Sequence, residues 1–209
     1  MKRRVKDMIL YLRKRYLLSQ KRKLTNRDFT IISDNCWGTN IYSDLGLEYN
    51  SPFIGLGVML PDYLKLLNNL EYYLEQDLKF ADKSKFENIN IQRQDNRYPL
   101  GRLDDIELQM GNYKDEEEAK VKWDRRVKRV NFDNLFIKLS AEENISDEDI
   151  LEFNKISHKN KVIFTKGDKL GLPNEVNFAK FSPRKEMLMY NMYFDYIAWL
   201  NSGNGIFKE

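Results

Sequence analysis

The residues best suited to chemistry lie in one short run, Ser33-Asp34-Asn35-Cys36-Trp37-Gly38, directly after the apolar stretch 29–32. An apolar strand that runs into short polar side chains has the form of the carboxyl end of a strand in an open α/β sheet, where such sheets hold their ligands. Ser33, Asp34 and Asn35 can hold a ribose, a phosphate or a divalent cation, and Gly38 lets a ligand approach the backbone. The same run fits a second description, in which Asp34 and Asn35 cap the next helix and Trp37 fills the sheet edge. Cys36 could act as a nucleophile only with a base, and the single histidine, His158 in SHKNK, reads as a surface loop residue. Cys36 and Trp37 are therefore expected to line a ligand site rather than to attack a substrate. The run has no GxGxxG dinucleotide fingerprint.

Two further segments carry candidates. In YPLGRLDDIE, Tyr98 and Gly101 can contact a ligand and Asp104 offers a second carboxylate. On a strand, Asp104 and Asp105 would point to opposite faces, so at most one of them faces a site. Asp104 with Glu107, or with Asp34 from another strand, would suit Mg²⁺ or Mn²⁺; a solvent-facing acid beside a turn is the alternative. In KVKWDRRVKRV, Arg125 and Arg126 are the candidate phosphate ligands. Lys122, Arg126 and Arg129 share a helical face and could clamp a phosphate. The acidic start and basic end of that helix also suit its dipole without any ligand.

These residues must be positioned by an alternation of strands and helices. Segments 29–33, 52–59, 86–92, 106–110, 135–139, 162–165 and 176–181 read as strands, with 97–102 as a loop. Helices are expected after Pro61, over 115–129, after Ser146, and over 183–200, where the aromatic residues of MYNMYFDYIAWL form a core stripe. Asn131 to Asn134 has turn chemistry. This order predicts a three-layer α/β fold with a mixed sheet, because some strands follow one another without a helix between them.

Composition and charge narrow the class. The 209 residues are 42% hydrophobic and 13% aromatic, which argues for one packed domain and against disorder. One cysteine cannot form an internal disulfide, and no apolar run approaches the roughly 20 residues of a membrane span. A cytoplasmic protein is expected. The net charge of +3 conceals an asymmetry: residues 1–27 hold eleven Lys or Arg against Asp7 alone, and the remaining 182 are acidic. Val5, Met8, Ile9, Leu12 and Tyr16 recur at helical spacing among those bases. The chain thus divides into a basic amphipathic helix over 1–27 and a single α/β domain over 28–209. Such a helix suits an anionic membrane surface, or else docks its apolar stripe on the domain; nucleic acid is disfavoured because the body offers no second basic patch.

The ordered motifs SDNCWG, YSDLGLEYNSPFIGL, YPLGRLDDIEL and NYKDEEEAKVKWDRRVKRVNFDNLFIK resemble the bacterial family called domain of unknown function 1919, often labelled exopolysaccharide biosynthesis protein. The resemblance extends over nearly all of the chain after Phe29. It implies a Rossmann-like α/β/α fold and a place in capsule or exopolysaccharide synthesis, and it transfers no catalytic residue. Many members resemble this chain with His where Asn112 stands before Tyr113 and Lys114. The expected function is transfer of a glycosyl or glycerol-phosphate group from a nucleotide-activated donor to a glycan or lipid-linked acceptor. Asp34 or Asp104 would hold a metal or act as base, and Arg125 or Arg126 would offset phosphate charge. The alternative is a non-catalytic glycan-binding or assembly protein, favoured by the lack of a complete catalytic constellation.

Overall fold

The computed structural model describes residues 2–141, 145–178, 194–202 and 206–207. In chain order it contains α1 (Lys2–Lys23), β1 (Thr30–Ser33), α2 (Trp37–Leu45), α3 (Leu60–Asn68), α4 (Leu70–Glu75), β2 (Lys79–Phe80) and α5 (Glu87–Asp95). There follow β3 (Leu100–Leu103), β4 (Ile106–Gln109), α6 (Glu116–Val127), β5 (Leu135–Ser140), α7 (Asp147–Lys155), β6 (Lys161–Thr165) and β7 (Glu175–Asn177). Last come β8 (Phe194–Asp195), α8 (Tyr196–Ser202) and β9 (Ile206–Phe207).

The fold is α/β, as expected. Four parallel strands in the order β1-β5-β6-β7 form the main sheet, and β2, β3 and β4 form an antiparallel one. A third, antiparallel pair joins β8 and β9, so parallel and antiparallel pairing are divided between separate sheets. Strand alternation sends Ile31, Phe136, Val162 and Phe164 to one face of the parallel sheet, under α2 and α8. It sends Ile32, Ile137, Leu139 and Ile163 to the other, under α3 and α7. On α2, Trp37, Ile41, Tyr42 and Leu45 are buried at helical spacing. Trp37 packs edge-on against Phe164 at 5.5 Å, and Trp199 meets Phe136 at 4.8 Å between ring centroids. Gly46, at φ 61°, ends α2 in the left-handed conformation that glycine adopts without a Cβ clash. A capping box of Ser146 and Asp149 starts α7, the crossover between β5 and β6.

Three expectations about elements are corrected. Segment 86–92 lies in α5 rather than in a strand, although Ile89 and Ile91 alternate with polar residues. Only Ile89 is buried, and the Asn90 side chain bonds both the amide and the carbonyl of Ser84, fixing a turn at the helix start. Segment 52–59 is not a strand: Gly55 has φ 72°, and one bridge, Gly57 to Gln109, is its link to a sheet. Within 97–102, expected as loop, residues from Leu100 onward enter β3. Of the helix expected over 183–200, residues 183–193 lie outside the described residues, as do 179–181 of the last expected strand. No helix among the described residues is long and apolar enough to cross a membrane.

Candidate functional site

Strand alternation creates a polar cluster at the carboxyl ends of β1 and β5. Lys138 and Ser140 follow Phe136 at two-residue steps, so they point to the α2 face, and Ser33 lies opposite Lys138 in register. The Lys138 side chain is fully buried, and Asp34's is 12% exposed. Lys138 Nζ is 3.4 Å from Asp34 Oδ1 and 3.4 Å from Asn35 Oδ1; it also donates to Ser140 Oγ. Its ammonium stands 5.0 Å from the Phe164 ring centroid. The Ser140 amide donates to Asp34 Oδ1 at 3.2 Å, and Asn35 Nδ2 donates to Ser140 Oγ at 2.8 Å. A buried ammonium is tolerable because a carboxylate, an amide oxygen and a hydroxyl oxygen surround it.

The polar run also shapes the turn into α2. Asn35 Oδ1 accepts the Trp37 amide at 3.0 Å, and Ser33 Oγ donates to the Asn35 carbonyl at 2.7 Å. Ser33 Oγ in turn accepts the Gly38 amide at 3.3 Å. A Cβ at Gly38 would meet Ile31 Cγ2 and Ser33 Oγ at 3.0 Å, so glycine is required by close packing onto β1. Asn35 therefore serves both descriptions drawn from the sequence: it joins the polar cluster and it organises the start of the helix. Trp37 is buried in the core.

Beside this turn lies a cleft of about 530 Å³. The start of α2 contributes Cys36, Thr39 and Asn40; the loop after it contributes Tyr49, Ile54 and Gly55. Asn112 and Tyr113 enter from the segment after β4, and Lys122 and Arg126 from α6. Arg126 is 5% exposed. Its Nη1 donates to the Tyr113 hydroxyl at 2.7 Å, which donates onward to the Ile54 carbonyl at 2.5 Å. Its guanidinium covers the Tyr49 ring at 5.0 Å, and its buried Nε has no hydrogen-bond partner. Among the described residues no carboxylate lies within salt-bridge distance of Arg126. Lys122 pairs with Glu118 at 2.5 Å while sitting 5.6 Å over the Tyr113 ring.

Burial pushes the Tyr113 hydroxyl above the ordinary tyrosine value, with the Arg126 charge opposing. Burial also pushes the Cys36 thiol up, against a hydrogen bond from Asn112 Nδ2 at 3.3 Å. A thiol so shifted is protonated at neutral pH, which suits a cleft-lining residue and not a nucleophile. Asn112 is thus itself a cleft residue.

The other candidates are dispersed. Asp104 and Asp105 form the two-residue turn between β3 and β4, with Asp104 at φ 52°. Asp104 accepts a hydrogen bond from the Tyr72 hydroxyl at 2.7 Å, and Asp105 pairs with Lys65 at 2.7 Å. Gly101 sits within β3, where a Cβ would press on Leu78 and Met110. Tyr98 stacks with Arg93 at 5.6 Å. Arg125 is exposed, one helical step from Arg126. None of these five residues lines the cleft. Among the described residues no three His, Cys, Asp or Glu side chains gather as a metal site, so the set expected for Mg²⁺ or Mn²⁺ does not form there.

Lys138, Ser140, Asn112, Tyr113 and Tyr49 were not singled out in the sequence as site residues. One signal pointed to Lys138: it is the single charge in LFIKLS, a strand whose six residues are all buried. An uncharacterized protein of Haemophilus influenzae is 33% identical to this chain over 202 residues, covering 90% of this chain and 93% of that protein. The family model described as Domain of unknown function (DUF1919) matches residues 8–201, taking in both the cleft and most of α1, and the chain belongs to that family.

Proposed function

We propose that the cleft binds the phosphate groups of a nucleotide-activated donor, and that the protein transfers a glycosyl or glycerol-phosphate group from it to a glycan acceptor in capsule or exopolysaccharide synthesis. The observation that carries this reading is Arg126: a guanidinium 5% exposed, with an unpartnered Nε and no paired carboxylate among the described residues, lining a cleft of about 530 Å³. Keeping such a charge buried is unfavourable unless an anion completes it. A phosphate supplies both charge and acceptor oxygens in the geometry a guanidinium fork matches. Lys122 adds a second cation, and the volume suits a small-molecule ligand.

In this reading Asp34, held by Lys138 and two residues before the cleft residue Cys36, takes the proton from the acceptor hydroxyl. The acceptor oxygen bonds to the transferred group, and the donor phosphate departs with the electron pair of the broken bond. Arg126 offsets the charge that develops on it. Asp104, Arg125, Tyr98 and Gly101 have no role. The protein would work in the cytoplasm, where nucleotide-activated donors are made, on the inner face of the membrane.

One observation favours a second reading, a non-catalytic binding or assembly protein: neither candidate carboxylate, Asp34 or Asp104, lines the cleft. Calorimetric titration with nucleotide sugars and with cytidine diphosphate glycerol separates the two. Arg126→Met should weaken binding of the accepted donor by about 10- to 100-fold, from loss of charge-assisted hydrogen bonds worth ~1.5–3 kcal/mol. Donor consumption on adding acceptor glycan supports transfer, and binding without consumption supports assembly. Failure of every donor to bind rejects the phosphate site.

A further inference from the structure

The basic N-terminal helix offers two faces, and the structure separates them. One face packs on the domain: Gln20 is buried, Leu17 and Lys21 are half-buried, and Arg13 pairs with Asp44 of α2 at 2.8 Å. Just past the helix, Leu24 joins the core beside Phe29. The opposite face carries large apolar residues that are exposed. Met8 is 57% exposed, Tyr11 56%, Leu12 56% and Leu18 49%. At 100° per residue, Met8, Leu12, Arg15 and Arg22 lie within one narrow arc, with Tyr11 and Leu18 along one border of it. Of the stripe read from the sequence, Met8 and Leu12 therefore point outward among arginines.

We propose that this outward face of α1 seats the protein on an anionic lipid bilayer surface, with Met8, Tyr11, Leu12 and Leu18 entering the headgroup boundary and Arg15 and Arg22 meeting lipid phosphates. Charge complementarity selects the occupant. The first 27 residues carry eleven basic side chains and one acidic one, and the first turn of α1 has no acid. Exposed Met and Leu interleaved with Arg are what a bilayer interface accommodates, because acyl chains take the apolar side chains while headgroups take the charge. A nucleic acid backbone would satisfy the arginines and leave Met8, Leu12 and Leu18 in water. Arg15 already lies 5.9 Å over the Tyr11 ring, an arrangement that keeps the cation beside an interfacial aromatic. The proposal does not depend on what the cleft binds.

The test is co-sedimentation of the full chain with vesicles of equal parts phosphatidylglycerol and phosphatidylcholine, and with phosphatidylcholine alone, at low and high salt. The wild type should sediment with the anionic vesicles at low salt, and only weakly with neutral ones or at high salt. The double variant Met8→Asp/Leu12→Asp should lose binding by roughly tenfold or more. Arg15→Gln/Arg22→Gln should weaken it by roughly tenfold and flatten the salt dependence. Both pairs are solvent-exposed, so an unchanged thermal unfolding midpoint verifies that the variants fold. No sedimentation of the wild type with anionic vesicles overturns the proposal, as does full binding by Met8→Asp/Leu12→Asp. A lipid-free dimer that this variant dissociates assigns the face to a second copy instead. Duplex DNA binding that survives Met8→Asp/Leu12→Asp but not Arg15→Gln/Arg22→Gln assigns it to nucleic acid.

Discussion

Replacing Lys138 by methionine should destabilise the protein far more than replacing Lys138 and Asp34 together. Lys138 has no exposed side-chain surface, and its Nζ lies 3.4 Å from Asp34 Oδ1. At that separation two unit charges attract by about 5 kcal/mol at an effective dielectric constant near 20, and burial of both ions offsets much of this. Lys138→Met keeps the volume and the apolar contact with Phe164, but leaves Asp34 without its cation. Breaking a buried pair costs ~3–5 kcal/mol. Asp34 retains 12% exposure and the Ser140 amide, which places the loss near the lower bound, ~3 kcal/mol. Adding Asp34→Asn removes the stranded charge and should return ~2 kcal/mol; because Asp34→Asn alone takes the anion from the buried Lys138 ammonium and also costs stability, the coupling energy of the cycle exceeds ~2 kcal/mol by that cost. Urea unfolding of the four proteins measures this. With a slope of ~3 kcal/mol/M, the single variant's midpoint falls by about 1 M. A coupling energy below about 0.5 kcal/mol would show that Lys138 is held by its other contacts and that its pairing with Asp34 organises nothing.

Burial alone would raise the Glu107 carboxyl, but Ser84, Arg102 and the Lys85 amide bond it and hold it below the ordinary glutamate value. A depressed folded value means this contribution is complete above the unfolded glutamate pKa of about 4.3 and is lost as pH falls through the folded one. Thermal midpoints should therefore drop below that pH, and the drop should be shallower in Glu107→Gln. Cys36 alkylation by iodoacetamide should be slow at neutral pH and accelerate only above the ordinary thiol pKa of about 8.5, since burial raises it; fast reaction at neutral pH would contradict the described environment. Ser146→Ala should cost ~1 kcal/mol through loss of the capping box, seen as a thermal midpoint lower by about 2–4 °C, and Ser146→Asp should restore most of it.

Local pattern was enough for elements whose signal lies in neighbouring residues. The polar run 33–38 after an apolar strand marked the turn into α2, the acidic start and arginine end marked α6, and Ser146 followed by acids marked α7. Family membership was also legible there, because long ordered motifs do not depend on contacts. The residues alone placed Arg126 on a helical face with Lys122, but they did not distinguish it from Arg125, since only packing decides which side of α6 is buried. Alternation of Ile89 and Ile91 imitated a strand, and the Ser84–Asn90 bonds that make α5 span a loop. Asp104 looked equal to Asp34 as a carboxylate until the hairpin carried it to Tyr72 and the parallel sheet carried Asp34 to Lys138. That last pairing joins residues more than a hundred positions apart through the register of β1 on β5. The chain therefore fixes its residue types, charge asymmetry and local element signals by itself. Which carboxylate meets a cation, which arginine is buried and which face of α1 stays open follow from strand register and helix packing, which are non-local and carry no signal in any short stretch of residues.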